Sequence, residues 1–163
     1  MNNRILVTYA TRSGSTAEVA AAIGGVLDAR GFSVDVRPIM DAPTLDDYAA
    51  VVIGSAVRTG SWLPEAVAFV EANRLVLNRV PVALFTVHVH NTGDDPASIA
   101  RRRAYLYEVR PLINIVGEVF FSGKIDRTKL STLERLMVRA VKAPIGDFRE
   151  WDKIRGWAET VLA

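Results

Sequence analysis

Four hydroxyl side chains, Thr11, Ser13, Ser15 and Thr16, fall within six residues of one another around Gly14, in the stretch Val7-Thr8-Tyr9-Ala10-Thr11-Arg12-Ser13-Gly14-Ser15-Thr16-Ala17-Glu18. The stretch reads as a short apolar strand that turns directly into a helix. The first N–H groups of a helix lack internal partners, and the helix dipole favours an anion beside them. Gly14 lets the backbone turn closely around a bound group, and Arg12 would offset part of its charge. Ordinary Ser or Thr capping of a strand-to-helix turn requires fewer hydroxyls than these. The spacing therefore predicts a seat for a phosphorylated ligand within the first sixteen residues.

The type of loop narrows the ligand. G-x-x-x-x-G-K-[ST] is absent, because no lysine closes the loop, which disfavours ATP or GTP hydrolysis. G-x-G-x-x-G is absent too, since the loop has a single glycine. Thr11-Arg12-Ser13-Gly14-Ser15-Thr16 is a T-x-S-G-x-T loop, nearly neutral and rich in hydroxyls, which suits a terminal phosphate monoester.

Two further stretches have the composition of a ligand pocket. In Gly54-Ser55-Ala56-Val57-Arg58-Thr59-Gly60-Ser61-Trp62, small residues allow close backbone approach and Gly60 permits a positive φ. Trp62 would flank a flat ring by stacking, and Arg58 would meet an anionic ring edge or an acidic substrate; the same stretch reads equally as a surface turn with one buried tryptophan. The third stretch, Thr86 to Asp95, holds His88 and His90, the only histidines of the chain, and Asn91. Two histidines spaced by two on a strand share a face, but no third ligand accompanies them, so no metal site is assigned. One histidine is expected to line the pocket and the other to be solvated. A histidine there also titrates in the range needed to relay protons.

These loops need elements to hold them. Arg4 to Ala10 reads as a strand. Thr16 to Arg30 reads as a helix, with Val19, Ile23, Val26 and Leu27 at helical spacing and Gly31 at the C-cap. Ser33 to Arg37 alternates as a strand, and Asp41 to Tyr48 is a polar connection. Ala49 to Gly54 and Pro81 to Val89 are continuous apolar runs, as in strands buried on both faces. Leu63 to Leu77 suits a helix with Pro64 in its first turn. A basic-faced helix over Ala97 to Leu112 precedes a fifth strand, Glu118 to Ile125, and two more helices, Ser131 to Ala143 and Asp147 to Leu162. Strands alternating with helices predict a mainly parallel, doubly wound α/β sheet with helices on both faces. Ligands in such folds bind beyond the carboxyl ends of the strands, where all three loops fall.

Chain-wide composition agrees. The 163 residues are half hydrophobic and suit one domain spanning 1–163. No cysteine is present, so disulfide, thiolate and Cys–metal chemistry are excluded, in keeping with a reducing cytoplasm. The N-terminus lacks the apolar region of a signal peptide, and no apolar run approaches the roughly 20 residues of a membrane span. A net charge of +2, without a dense basic run interleaved with aromatics, argues against nucleic acid.

The first loop resembles the FMN phosphate loop of the flavodoxin family, and the other two stretches occupy that family's ring-binding positions. The resemblance spans nearly the whole chain. It implies a flavodoxin-like five-stranded parallel sheet of order 2-1-3-4-5 and FMN as cofactor. It also implies that Thr11, Arg12, Ser13, Gly14, Ser15 and Thr16 hold the phosphate. Ser55, Ala56, Val57, Arg58, Thr59 and Gly60, with Trp62, would border one side of the isoalloxazine, and Thr86, Val87 and His88 the other. Within the family, Ile53-Gly54-Ser55-Ala56-Val57-Arg58-Thr59-Gly60 is similar to the I-G-A-S-I-R-Y-G type segment of flavodoxin-like protoporphyrinogen IX dehydrogenases. The ending Gly146-Asp147-Phe148-Arg149-Glu150-Trp151-Asp152 is similar to the stretch before that group's last helix.

That group also carries a long, partly basic segment before its final helix, which sits close to the flavin there and is linked to substrate or membrane quinone use. Here the segment is Lys124 to Pro144. Leu130, Leu133, Leu136, Met137 and Val141 fall along one helical face, with Arg127, Lys129, Arg135, Arg139 and Lys142 nearby. It reads either as a helix packed on the sheet with a solvated basic face, or as a docking surface, through 127–142, for an anionic membrane or an acidic partner.

Two function classes stay open. One is an FMN oxidoreductase passing electrons from an organic substrate to a quinone or other carrier. The other is a small electron-transfer protein without a substrate of its own. In both, the cofactor carries the chemistry and protein charges set its potential. A sequence pI near 9.1 leans toward an enzyme or a dedicated redox partner, because general flavodoxin shuttles are usually acidic.

Overall fold

A computed structural model describes residues 2–42, 44–125, 131–140 and 145–163. Five parallel strands form its centre: β1 (Arg4–Ala10), β2 (Ser33–Pro38), β3 (Ala50–Arg58), β5 (Val82–His88) and β6 (Gly117–Ser122). Their order is β2-β1-β3-β5-β6, the expected flavodoxin-like order once the short strand β4 (Ser61–Trp62) is counted, and β4 pairs antiparallel with β3. The helices are α1 (Ser15–Ala29), α2 (Pro64–Leu77), α3 (Pro96–Ala104), α4 (Thr132–Ala140) and α5 (Trp151–Thr160). A separate antiparallel ladder joins β7 (Lys124–Ile125) to β8 (Gly146–Asp147).

The two sheet faces bury two apolar layers. On one, Ile5, Val7, Val52 and Phe85 meet Val19, Ile23 and Leu27 of α1 and Ile154 and Ala158 of α5. On the other, Leu6, Val51, Ile53 and Leu84 meet Val67 and Val70 of α2. The alternation along β1 and β3 produces this split, because successive side chains point to opposite faces. Among the described residues, no helix is long and apolar enough to cross a membrane.

Several expected boundaries move. The helix expected over Ala97 to Leu112 ends at Ala104. Trp62 N–H donates to the Tyr105 carbonyl at 3.2 Å, and Val109 N–H turns to the Leu106 carbonyl at 3.1 Å. The tightened chain drives Tyr105, Leu106, Val109 and Ile113 inward. The fifth strand stops at Ser122: Gly123 N–H gives the closing bond to the His88 carbonyl at 2.8 Å, and the Gly123 carbonyl already accepts from Phe148 N–H at 3.0 Å, so the chain turns to a new partner. Lys124 and Ile125 then pair with Gly146 and Asp147, so Asp147 belongs to a strand and the last helix starts at Trp151. The helix expected over Ser131 to Ala143 is described over Thr132–Ala140, and residues 141–144 lie outside the described residues.

Candidate functional site at the carboxyl ends of the strands

The ends of β1, β3, β5 and β6 converge on one cavity of about 370 Å³. The β1–α1 loop gives it Thr11, Arg12, Ser13 and Ser15. The β3 end gives Ala56, Val57, Arg58, Thr59 and Gly60, and the β5 end gives Val87, His88, Val89 and His90. Gly123, Lys124 and Ile125 follow β6, and α4 adds Glu134, Met137 and Val138 as a roof.

The first loop is organised as an open helix start. Gly14 takes the left-handed conformation at φ +92°, and its N–H donates to Thr11 Oγ1 at 3.0 Å. The first intrahelical bond runs from Glu18 N–H to the Gly14 carbonyl, so the amides of Ser15, Thr16 and Ala17 precede it. Among the described residues, no side chain caps this end of α1. Thr16 is fully buried, and among the described residues its Oγ1 and Thr8 Oγ1 on β1 are buried side-chain polar atoms without a partner. A buried hydroxyl without a partner is costly. An orphan hydroxyl beside uncapped amides is a donor set that fits a phosphate.

The expected neutralising cation is engaged elsewhere. Arg12 forks onto Glu65 in the first turn of α2, with Nη2 donating to Oε2 at 3.0 Å and Nη1 to Oε1. The bond from Arg12 holds the Glu65 carboxyl below its usual range. The seat is therefore one of hydroxyls and backbone amides.

The stretch expected as a second loop is a β-hairpin. β3 runs four residues beyond Gly54, and Arg58 pairs with Ser61 across a two-residue turn. Thr59 (φ +51°) and Gly60 (φ +77°) both take positive φ, as a turn matched to strand twist requires. Arg58 Nη2 donates to Glu134 Oε2 at 2.5 Å, which ties the hairpin to α4 and lowers the Glu134 pKa.

Both histidines reach the cavity, His88 buried and His90 exposed. His88 Nδ1 lies 2.7 Å from the His90 carbonyl. A carbonyl can only accept, so the proton is on Nδ1 and Nε2 carries the lone pair. The ring packs between Tyr105 (centroids 5.6 Å) and Phe120 (6.1 Å). Burial pushes its pKa down to about 4, so the ring is neutral at neutral pH. The loop beyond is pinned by Arg102, which donates to the Asn91 and Gly93 carbonyls, and by Asn91 Nδ2, which donates to Tyr105 Oη at 2.7 Å.

Of the sixteen expected residues, Gly14, Thr16, Ser55, Trp62 and Thr86 do not line the cavity; the other eleven do. Ser55, Thr86 and Trp62 form a buried layer. Trp62 Nε1 donates to Thr86 Oγ1 at 2.9 Å, and Ser55 Oγ accepts from Leu63 N–H at 3.0 Å. Trp62 is 2% exposed, so its ring packs in the core and is not free to flank a ligand in the cavity. The cavity residues outside those sixteen are Val89 and His90, which fall in the third expected stretch, Gly123, and Lys124, Ile125 and the α4 trio, which fall in the Lys124–Pro144 segment. Extending the carboxyl-end rule to the last strand would have found Gly123.

The family model described as "Flavodoxin domain" matches residues 6–151. The chain belongs to this flavodoxin-domain family. Among curated relatives, it is 30% identical over 88 residues to the protoporphyrinogen IX dehydrogenase (quinone) of Escherichia coli K12, an alignment covering 53% of this chain and 49% of that protein. The chain thus spans about half the length of the curated relatives it matches. Among solved structures, a flavodoxin from the domain Archaea superposes with TM-score 0.54 at 21% identity, covering 85% of this chain and 96% of that one. Oxidised flavodoxin 1 of Bacillus cereus gives 0.53 at 19% identity, covering 85% and 97%. At these identities the structural likeness speaks for the fold, and the flavodoxin-domain assignment rests on the sequence match.

Proposed function

We propose that this flavodoxin-domain protein binds FMN and works as an oxidoreductase akin to protoporphyrinogen IX dehydrogenase, passing electrons to a quinone or another carrier. The observation that carries the reading is the start of α1 without a side-chain cap, bordered at the cavity by the hydroxyls of Thr11, Ser13 and Ser15. Thr11, Ser13 and Ser15, with the amides of Ser15, Thr16 and Ala17, would hold the phosphate. Ala56, Val57, Thr59 and Gly60 would border one side of the ring, and Val87 and His88 the other. A bound flavin supplies the electron storage. The chain's own residues bind it, orient it and exclude water. The neutral His88 adds no charge; of the cations lining the cavity, Arg12 is held by Glu65 and Arg58 by Glu134, and Arg58, with Lys124, would favour a reduced, anionic ring.

The identity to the Escherichia coli dehydrogenase supports an organic substrate. A second reading, an electron-transfer protein without such a substrate, is favoured by size. A cavity of about 370 Å³ lies near the low end of the roughly 300–1,000 Å³ of small-molecule sites, room for one ring system.

Work in the cytoplasm against a membrane surface fits the same proposal. On α4, Leu133, Leu136 and Met137 are exposed beside Arg135 and Arg139, a combination that suits an anionic lipid surface. Arg127, Lys129, Leu130, Val141 and Lys142, which belong to the same expected surface, lie outside the described residues.

The test is the visible spectrum of the purified protein, followed by titration with FMN. Flavin bands saturating at one FMN per chain are expected. A protein that stays colourless and ignores FMN overturns the reading.

A further inference from the structure

Among the described residues, the roof of the cavity is largely exposed. None of the α4 residues is buried, only Glu134 and Val138 are half-buried, and Leu133 and Leu136 are exposed. One contact that reaches from α4 to the hairpin is the bond from Arg58 Nη2 to Glu134 Oε2 at 2.5 Å, and both residues line the cavity. Glu134 has a second task. Ser131 N–H donates to its Oε1 at 3.2 Å, and its own N–H donates to Ser131 Oγ at 3.1 Å. This reciprocal pair is a capping box. A single carboxylate thus starts the helix and fastens it.

The ion pair is also exchangeable. The side chains of Arg58 and Glu134 are 36% and 29% exposed, so water and other anions reach them. Pairs of this kind contribute little and give way to competitors. Around the pair, Met137, Val138 and Ile125 supply apolar walls.

We propose that Glu134 is an internal occupant of an anion site at Arg58: it latches α4 over the cavity, and a flat reactant bearing a carboxylate opens the roof by replacing Glu134 on Arg58. The inference rests on the flavin reading only for the identity of the first ligand. The latch itself belongs to the chain without any ligand. The reactant class is an apolar, planar organic acid, whose carboxylate takes the guanidinium while its body lies against the α4 side chains.

Hydrogen exchange of the α4 amides, measured on the full chain without flavin, tests both halves. Gln at position 134 keeps the capping box, so Glu134→Gln removes the latch without removing the helix start. Arg58→Gln removes it from the other side. Each variant is expected to speed α4 exchange about two- to five-fold. The double variant is expected to do no more than either single one. Unchanged exchange in the single variants, or additive effects in the double, overturns the latch. For the second half, 2-naphthoate is expected to speed α4 exchange in the wild type and to lose that effect in Arg58→Gln, whereas uncharged 2-naphthamide leaves exchange unchanged. Equal effects of the two probes, or none from naphthoate, overturn the exchange step. No flavin enters these measurements, so their failure and a failed FMN titration are separate results.

Discussion

Gly54 on β3 and Phe85 on β5 are register partners, and the Phe85 ring fills the space a Gly54 side chain would need: an added Cβ would lie 2.0 Å from Phe85 Cζ. The ring is fully buried beside Phe121 (centroids 6.4 Å) and Trp157 (6.5 Å), so it has nowhere to retreat. Gly54→Ala is expected to lower the unfolding free energy by about 2–3 kcal/mol. Urea titration measures it. In a Phe85→Leu background the same substitution should cost less, a non-additivity that locates the clash.

His88 makes stability depend on pH. Its folded pKa of about 4 lies below the ordinary 6.5 because the ring is buried. Between these values the unfolded chain binds the proton and the folded chain does not, so stability rises with pH across the window. The contribution is complete above about pH 6.5, is lost as pH falls toward about 4, and amounts to about 3 kcal/mol by linkage. Urea unfolding of wild type and His88→Gln at pH 7.5, 6, 5 and 4.5 would read it. The expected result is a wild-type slope that flattens in the variant.

Thr59 is a β-branched residue at φ +51° in a two-residue hairpin turn. The left-handed region disfavours β-branched side chains and accepts Asn. Thr59→Asn is expected to raise stability by about 0.5–1 kcal/mol. The signature is a higher urea midpoint with an unchanged slope. A midpoint that falls would mean that the bond from Thr59 Oγ1 to the Arg58 carbonyl, 2.7 Å long, outweighs the strain.

Arg149 fastens the returning chain to α1. Its side chain is 5% exposed, donates to both carboxylate oxygens of Asp147 and to Glu18, and lies 4.7 Å from the Trp151 ring centroid. Lysine cannot reproduce the fork or the stacking, so Arg149→Lys is expected to cost about 1–2 kcal/mol. The hydrogen bond from Arg149 lowers the Asp147 pKa to about 2. A carboxylate shifted this way stabilises the fold above its ordinary value near 3.8 and stops doing so as pH falls through about 2. The stability difference between wild type and variant should therefore shrink in acid, as guanidinium titrations at pH 5, 3 and 2 would show.

Removal of the seat's hydroxyls tests the phosphate assignment. The triple replacement Thr11→Ala, Ser13→Ala and Thr16→Ala is expected to weaken FMN binding at least ~100-fold, since hydrogen bonds to a charged group contribute roughly 1.5–3 kcal/mol each. Far-UV circular dichroism should stay that of the wild type. A triple variant that purifies yellow at full occupancy would place the phosphate elsewhere.

How far the sequence carried the structure varies by element. The runs over β1, β3 and β5 are visible because continuous apolar stretches bounded by small and polar residues have few other solutions, and the helix N-terminus after Ala10 is marked by its hydroxyls. The end of α3 is not visible, because Tyr105, Leu106 and Val109 continue a helical apolar period while a distant N–H, that of Trp62, captures the Tyr105 carbonyl. Thr59-Gly60 hides its hairpin by putting threonine where asparagine usually stands. Trp62 beside small residues reads equally well as a stacking face or a core residue, and its partner Thr86 lies 24 residues away. The part of α4 that roofs the cavity depends on where an excursion folds back, which no local pattern records.

The β7–β8 ladder has a consequence of its own. Ile125 and Gly146 are register partners, so the chain leaves this two-stranded ladder and returns to it within one strand spacing, about 5 Å. The described part between them, α4 (Thr132–Ala140), therefore reaches the cavity from a base one strand spacing wide, and the ladder is the stem on which the roof stands.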